Sequence, residues 1–133
     1  MPREDYMQTH FAALYDVISN LIRLDFKIDK INERGDPGIE IKNKKGKGIK
    51  IGVKGLMGTT NWPFAREPVL ESDFYIFVSF LDKFNDIKSQ PEFFILSKEE
   101  IKPPLLKKFQ NRSGIFYTKI LNTKSKDAWH RIE

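Results

Sequence analysis

An acidic and a basic side chain stand on neighbouring predicted strands within GIEIKNKKGKGIKIGVKG, residues 38 to 55. The acid is Glu40, the base is Lys54, and the stretch between them is a basic turn that contains glycine. A carboxylate placed beside an amine could form a catalytic pair. The alternative is a cross-strand ion pair on the solvent face of a hairpin, which is common and contributes only about 0.2–1 kcal/mol.

The two strands of this hairpin show the alternation of a half-buried sheet. The apolar residues occupy alternate positions and therefore share one face of the sheet. They are Ile39, Ile41, Ile49, Ile51 and Val53. A turn centred on Lys47 predicts Glu40 opposite Lys54, and a turn centred one residue earlier predicts Glu40 opposite Gly52. Both registers place Glu40, Gly52 and Lys54 on the same face of the sheet.

A helix and a strand are predicted ahead of the hairpin. Apolar residues spaced by three and four in THFAALYDVISNLIRL predict the helix, with Thr9 as its N-cap. The alternation in RLDFKID, residues 23–29, predicts the strand. Glycine and proline in NERGDPG, residues 32–38, then break the chain before the hairpin.

The second half of the chain supplies further strands. Residues 55–72 are rich in Gly, Thr and Pro, which predicts an irregular segment. The apolar run DFYIFVSFLD, residues 73–82, is typical of a strand buried on both faces, and PEFFILS, residues 91–97, predicts its hairpin neighbour. GIFYTKIL, residues 114–121, predicts a last strand after a short helix capped by Ser97.

This order of elements predicts an α+β or mixed α/β fold in one domain, residues 1–133. We expect a central mixed sheet with the long N-terminal helix packed on one face.

The same order, with an acid on the second strand and a lysine ending the third, resembles the core of the PD-(D/E)XK nuclease superfamily. Glu40 matches the first acid of that motif and Lys54 matches its lysine, in IGVKG. The resemblance implies a restriction-endonuclease-like fold and hydrolysis of DNA phosphodiesters. In such a site two carboxylates hold Mg²⁺, which polarises the phosphate and activates a water, and the lysine stabilises the developing charge.

Position 52 departs from the motif, because Gly52 stands where the second acid is expected and has no side chain to bind a metal. The resemblance suggests three replacements. Asp16 on the first helix could supply a carboxylate, the carbonyl of Gly52 itself could serve, or Asp36 could swing in. Loss of one acidic ligand weakens the affinity for Mg²⁺, since ligand charge tunes the affinity of such sites.

The net charge of the chain favours contact with phosphate. Lys and Arg number 23 against 18 Asp and Glu, which gives a formal charge of +5. Lysines cluster in and around the predicted turn, and we expect them to contact nucleic acid, the alternative being a solvated turn. They are Lys42, Lys44, Lys45, Lys47 and Lys50. Trp62 could stack on a base, or it could anchor its loop to the core.

Other classes of site are disfavoured. The chain has no cysteine, so it has neither a disulfide nor a thiolate metal site. His10 and His130 are far apart in sequence and are interpreted as surface residues. No run of about 18 apolar residues occurs, so we expect no membrane partner and a cytoplasmic protein. The oligomeric state is left open, with a homodimer as one option.

Three functions follow as hypotheses. The first is metal-dependent cleavage of DNA, with Glu40 and Lys54 catalytic and with Glu40, Gly52 and Asp16 around Mg²⁺. The second is a domain of the same fold that has lost catalysis and grips DNA through its lysines. The third is a protein-interaction module, for instance an immunity or accessory factor, that uses exposed aromatic residues.

Overall fold

The computed structural model describes the backbone of residues 3–133 and the side chains of residues 7–133. A long helix, α1, spans Arg3–Arg23, and a one-turn helix, α2, spans Tyr117–Ile120. The strands are β1 Lys27–Asn32, β2 Gly38–Lys42, β3 Gly48–Leu56, β4 Asn61–Ala65, β5 Phe74–Ser79, β6 Glu92–Ser97, β7 Leu106–Lys108 and β8 Arg112–Phe116. Single 3₁₀ turns occur at Lys98–Glu100 and Trp129–Ile132.

Five strands form the main sheet in the order β1-β2-β3-β5-β6. β1, β2 and β3 are antiparallel neighbours, β3 pairs with β5 in parallel, and β5 pairs with β6 in antiparallel register. The apolar run of β5 is buried from Tyr75 to Ser79 and lies between two other strands, as its composition predicts. The hairpin of β5 and β6 is likewise confirmed.

Helix α1 packs on one face of this sheet. The buried residues of α1 pack against the apolar residues of β2 and β3 and form one core with them. This core contains Ala13, Leu14, Val17, Ile18, Leu21, Ile39, Ile41, Ile49, Ile51 and Val53. Gly55 on β3 permits the close approach, since a Cβ there would lie 2.9 Å from the carbonyl oxygen of Thr9 and 3.0 Å from the Cβ of Ala13. Thr9 is therefore a buried residue inside the helix rather than its N-cap.

A second sheet, in the order β4-β8-β7, covers part of the opposite face. It packs on β5 and β6 through a core that includes Trp62, Phe77, Phe94, Leu96 and Ile115. It leaves β1 and β2 and the neighbouring part of β3 uncovered on that face, where lysine side chains are exposed. This uncovered side of β1, β2 and β3, opposite α1, is called the open face below.

The α+β class and the central mixed sheet with the long helix on one face are confirmed, and a second sheet that was not predicted accompanies them. Residues 55–72 are not irregular throughout, because β4 lies within them. Its partner β8 pairs Asn61 with Phe116, a contact far apart in sequence that local composition does not reveal. No helix within residues 3–133 combines the length and the apolar character needed to span a membrane.

Candidate functional site on the open face

Residues that pair directly across neighbouring strands point to the same side of a sheet, so the register places the side chains of the open face in rows. Lys27 on β1 pairs with Lys42 on β2. In the next row, Lys30 pairs with Glu40, and Glu40 pairs with Lys50 on β3. Four lysines and one acid thus occupy two adjacent rows. Their side chains project away from α1, which lies on the other side of the sheet.

A recess of about 320 Å³ lies beside these rows. Gly38 and Gly52, paired across β2 and β3, form part of its lining. The link between β4 and β5 closes one side with Glu71 and Ser72. The recess is therefore bounded by the strands β1, β2, β3 and β5 and by the links between β1 and β2 and between β4 and β5, and both Glu40 and Lys54 line it.

Glu40 does not stand across from Lys54 or Gly52, so both predicted registers are wrong. The turn spans residues 43–47, and Glu40 pairs with Lys50. Lys54 lies four residues beyond Lys50 on the same strand, which is about 13 Å. The nearest ammonium group to the Glu40 carboxylate is instead Lys30, with Nζ 3.9 Å from Oε2. Glu40 is thus an acid between two lysines on adjacent strands.

Lys54 sits where the second sheet meets the open face. Its Nζ lies 4.6 Å from the centroid of the Phe64 ring and 4.0 Å from Oδ1 of Asp36. Burial lowers the pKa of the Lys54 ammonium, and the Asp36 carboxylate acts in the opposite direction. The Lys54 side chain is 21% exposed, whereas Asp36 is 98% exposed. Of the acids considered in the sequence, it is Asp36 that the structure places beside this lysine.

Gly52 is enclosed by the ring of Tyr75, its partner on β5. A Cβ at position 52 would lie 2.5 Å from Cε1 and 2.6 Å from Cδ1 of that ring, and 3.4 Å from Oγ of Ser72. The Tyr75 hydroxyl accepts a hydrogen bond from the Ser72 backbone N–H at 3.2 Å, which fixes the ring. The space of the expected second carboxylate is therefore filled by an aromatic side chain.

Asp16 does not join this site. It lies on α1, which packs against the opposite face of the sheet, and burial raises the pKa of its carboxyl. This corrects the prediction of Asp16 as a metal ligand beside Glu40.

The donor set does not suit Mg²⁺, which requires several oxygen ligands in near-octahedral geometry. Among the side chains of residues 7–133, no three His, Asp or Glu groups are close enough together to hold a metal ion. Gly52 offers only its backbone, which lies inside the sheet between Gly38 and Tyr75. The one carboxylate expected from the motif, Glu40, already forms an ion pair with Lys30.

The predicted lysine turn, residues 43–47, is a well-formed surface loop. The Asn43 side-chain oxygen accepts hydrogen bonds from the backbone N–H groups of Lys45 and Lys47 at 3.0 and 2.9 Å. The side chains of Lys44, Lys45 and Lys47 are exposed, and Lys44 forms an ion pair with Glu133 at 3.3 Å. Lys42 and Lys50 are exposed on the adjoining strands.

Lys27 and Lys30 belong to the same surface, although the sequence did not single them out. Part of the signal was present, because Lys27 lies within the segment predicted to be a strand, residues 23–29, and Lys30 directly follows it. The register of that strand relative to the hairpin was missing, and a bulge between Ile28 and Lys30 shifts it.

The structure confirms one of the two predicted roles of Trp62, the core anchor, and overturns the predicted position of His10. Trp62 is fully buried, packs edge-on against Phe77 and Phe94, and donates its indole N–H to the carbonyl oxygen of Val78 at 3.3 Å. It is a core anchor and cannot stack on a base. His10 is 9% exposed, so its assignment to the surface is wrong.

His10 Nδ1 accepts a hydrogen bond from the backbone N–H of Gly55 at 3.3 Å. Burial lowers the pKa of His10, as does the nearby charge of Lys54, while Asp36 acts in the opposite direction. The imidazole thus ties α1 to β3 on the side of the sheet away from the open face.

Comparison of the chain with models of known protein families, with curated proteins and with solved structures found no match. The proposal for function is therefore drawn from the open face.

Proposed function

We propose that this protein binds DNA through the phosphates of the backbone, using the lysines of the open face and of the lysine turn. The observation that supports it is the register of β1, β2 and β3. It brings four exposed lysines into two adjacent rows with Glu40 as the only acid among them.

The lysine turn continues this surface past the end of the hairpin. Three more exposed lysines stand there, directly beyond Lys42 on β2. A surface of one dominant sign attracts a polyanion, and each neutralised phosphate releases counterions, which supplies affinity without reading sequence. Salt-dependent binding that tolerates many sequences is the expected behaviour.

Metal-dependent cleavage stays a prediction, and the geometry supports it less well than binding. Only one carboxylate of the expected pair exists, it lies about 13 Å along the sheet from Lys54, and Tyr75 occupies the place of the other. The order of α1, β1, β2 and β3 still supports a resemblance to the PD-(D/E)XK nucleases. On this proposal the chain is a non-catalytic relative of that fold.

The third hypothesis, a protein-interaction module, loses the residue that was named as its example. It relied on exposed aromatic residues such as Trp62, and Trp62 is fully buried.

The proposal can be tested by fluorescence anisotropy of labelled duplex DNA over a range of salt concentrations. Lys42→Ala and Lys47→Ala should each weaken binding and lower the slope of log affinity against log salt by about 0.9. Lys88→Ala is the matched control, because Lys88 is exposed on the connector between β5 and β6, at the other end of the sheet from the lysine turn. Binding that is independent of salt, or that Lys88→Ala weakens equally, would contradict the proposal.

Cleavage is tested separately with supercoiled plasmid in the presence of Mg²⁺ or Mn²⁺. We expect no nicking above that of a mock-purified sample. Nicking that depends on the metal and disappears in both Glu40→Gln and Lys54→Ala would restore the hydrolysis hypothesis.

A further inference from the structure

We infer that the recess beside the lysine rows receives one unstacked nucleobase, so that the protein prefers single-stranded DNA to duplex. This inference rests on the proposed function and deepens it, because it names the form of nucleic acid and the part of it that enters the recess.

The charge of the recess argues that its occupant is not a phosphate. Three lysines line it, namely Lys30, Lys50 and Lys54, and three carboxylates face them. The carboxylates belong to Asp36, Glu40 and Glu71. A phosphate held there would lie close to acids as well as lysines, so attraction and repulsion offset one another. A neutral group rich in hydrogen-bond donors and acceptors suits such a lining, and nucleobases are groups of that kind.

The dimensions of the recess suit an occupant of this size. Its volume of about 320 Å³ lies at the lower end of the range for small-molecule sites, about 300–1,000 Å³. A Cβ at Gly38 would lie 2.7 Å from the carbonyl oxygen of Ile51, and the ring of Tyr75 fills the space above Gly52, so neither glycine deepens the recess. The occupant therefore lies above the two glycines, beside the ring of Tyr75.

The neighbouring rows then hold the backbone of the same strand. Lys30 and Lys50 stand one row from the paired glycines, and Lys27 and Lys42 stand in the next lysine row. Rows two residues apart along an antiparallel strand are about 7 Å apart. A base in the recess thus leaves the phosphates of its strand near Lys27, Lys42 and the lysine turn, beyond the row in which Glu40 stands.

A base can enter such a recess only when it is unpaired and unstacked, as it is in single strands. In duplex DNA the same entry costs the energy of unpairing and unstacking, so a duplex would contact the lysines alone. The two forms of DNA should therefore differ in affinity at equal charge.

The test compares two ligands of equal length and charge by anisotropy: oligothymidylate, and a chain of the same number of phosphates in which every nucleoside is replaced by baseless tetrahydrofuran. One inserted base contributes about 1–3 kcal/mol in comparable sites, so oligothymidylate should bind roughly 5- to 150-fold more tightly. Equal affinities for the two chains would overturn the inference and leave the proposed function standing. Binding of neither chain would overturn the inference, and if labelled duplex DNA also failed to bind, the proposed function would be overturned with it.

A variant of Glu71 tests whether the difference in affinity between the two ligands arises in the recess. Glu71→Lys replaces an exposed acid of the lining by a cation, so it should strengthen binding of the baseless chain while reducing the ratio between the two ligands. Asp86→Lys makes the same charge change on the connector between β5 and β6 and should leave the ratio unchanged. If Glu71→Lys strengthens both ligands by the same factor, the base does not enter the recess, and the inference fails.

Discussion

The ring of Tyr75 occupies the space into which any side chain at position 52 would project. An added Cβ would approach two ring carbons to 2.5 and 2.6 Å, well inside van der Waals contact. Gly52 is therefore a requirement of packing between β3 and β5. The acid that the nuclease motif expects at this position and the aromatic ring that the structure contains exclude one another.

Substitution of Gly52 by Ala should destabilise the protein. The new methyl group forces Tyr75 or a strand to move, and overpacking of this kind costs about 1–3 kcal/mol. The free energy of unfolding in urea measures the effect. Gly48→Ala is the control on the same strand, because a Cβ at position 48 meets nothing within 4 Å, and we expect it to change stability by no more than about 0.5 kcal/mol.

A double variant checks that the clash is with Tyr75. Combining Gly52→Ala with Tyr75→Ala should cost less than the sum of the two single changes, because the cavity left by the ring accommodates the methyl group. Strict additivity would place the cause of the Gly52 effect elsewhere.

The stability of the protein should decrease as the pH falls through about 6.5, the ordinary value for histidine, because of His10. Burial lowers the pKa of His10 in the folded state, so the unfolded chain binds a proton first and the equilibrium shifts toward unfolding. Protonation of Nδ1 would also remove the acceptor for the Gly55 N–H. One such group contributes at most about 1.4 kcal/mol per pH unit.

Urea unfolding at a series of pH values, compared with His10→Asn, measures this contribution. Asn can still accept a hydrogen bond but does not titrate, so the variant should show a flatter profile below pH 7. A wild-type profile already flat between about pH 7 and pH 5.5 would be inconsistent with a lowered pKa.

The sequence alone was enough to predict which residues of the hairpin face the core, but not which residues pair across it. Ile39, Ile41, Ile49, Ile51 and Val53 are all buried, as their alternation indicates. The segment between Ile41 and Ile49 contains several lysines and two glycines, which allow turns of different length. Asn43 selects one by accepting two backbone hydrogen bonds, and Gly46 adopts a left-handed φ of 79°. That choice moves Glu40 opposite Lys50, and the predicted pair with Lys54 is lost.

The second sheet escaped prediction for a different reason. In Asn61–Ala65 the alternate residues Trp62 and Phe64 are buried, so a strand pattern was present but short. Proline and glycine around it suggested a loop, and its partner β8 lies some fifty positions later in the sequence. Pairing of segments so far apart is decided by tertiary contacts, which the local pattern does not contain.

Trp62→Phe should reduce stability and leave DNA affinity unchanged. The substitution removes the N–H that donates to the carbonyl oxygen of Val78, and the loss of one buried hydrogen bond costs about 0.5–1.5 kcal/mol. Because the indole has no exposed surface, it cannot contact a ligand. Urea unfolding and anisotropy on the same preparation measure both properties. Weaker DNA binding by a fully folded Trp62→Phe protein would contradict the assignment of this residue to the core.

Replacement of Lys54 by Met should weaken DNA binding without reducing the stability of the folded protein. Burial lowers the pKa of this lysine, which means that the folded state holds its charge at a cost, and Asp36 and the Phe64 ring offset that cost only in part. A methionine of similar length keeps the apolar contact with Phe64, so the free energy of unfolding at pH 7 should stay equal or rise by about 1 kcal/mol.

The direction of the pKa shift of Lys54 also determines how this difference depends on pH. Because the pKa in the folded state lies below the ordinary value of 10.5, the wild type should gain stability relative to Lys54→Met as the pH rises toward 10.5. Oligothymidylate should bind the variant less tightly, since one of the three lysines of the recess is gone. If Lys54→Met were instead strongly destabilised and bound DNA normally, Lys54 would be a structural residue joining the second sheet to the open face, and the recess would have to function without it.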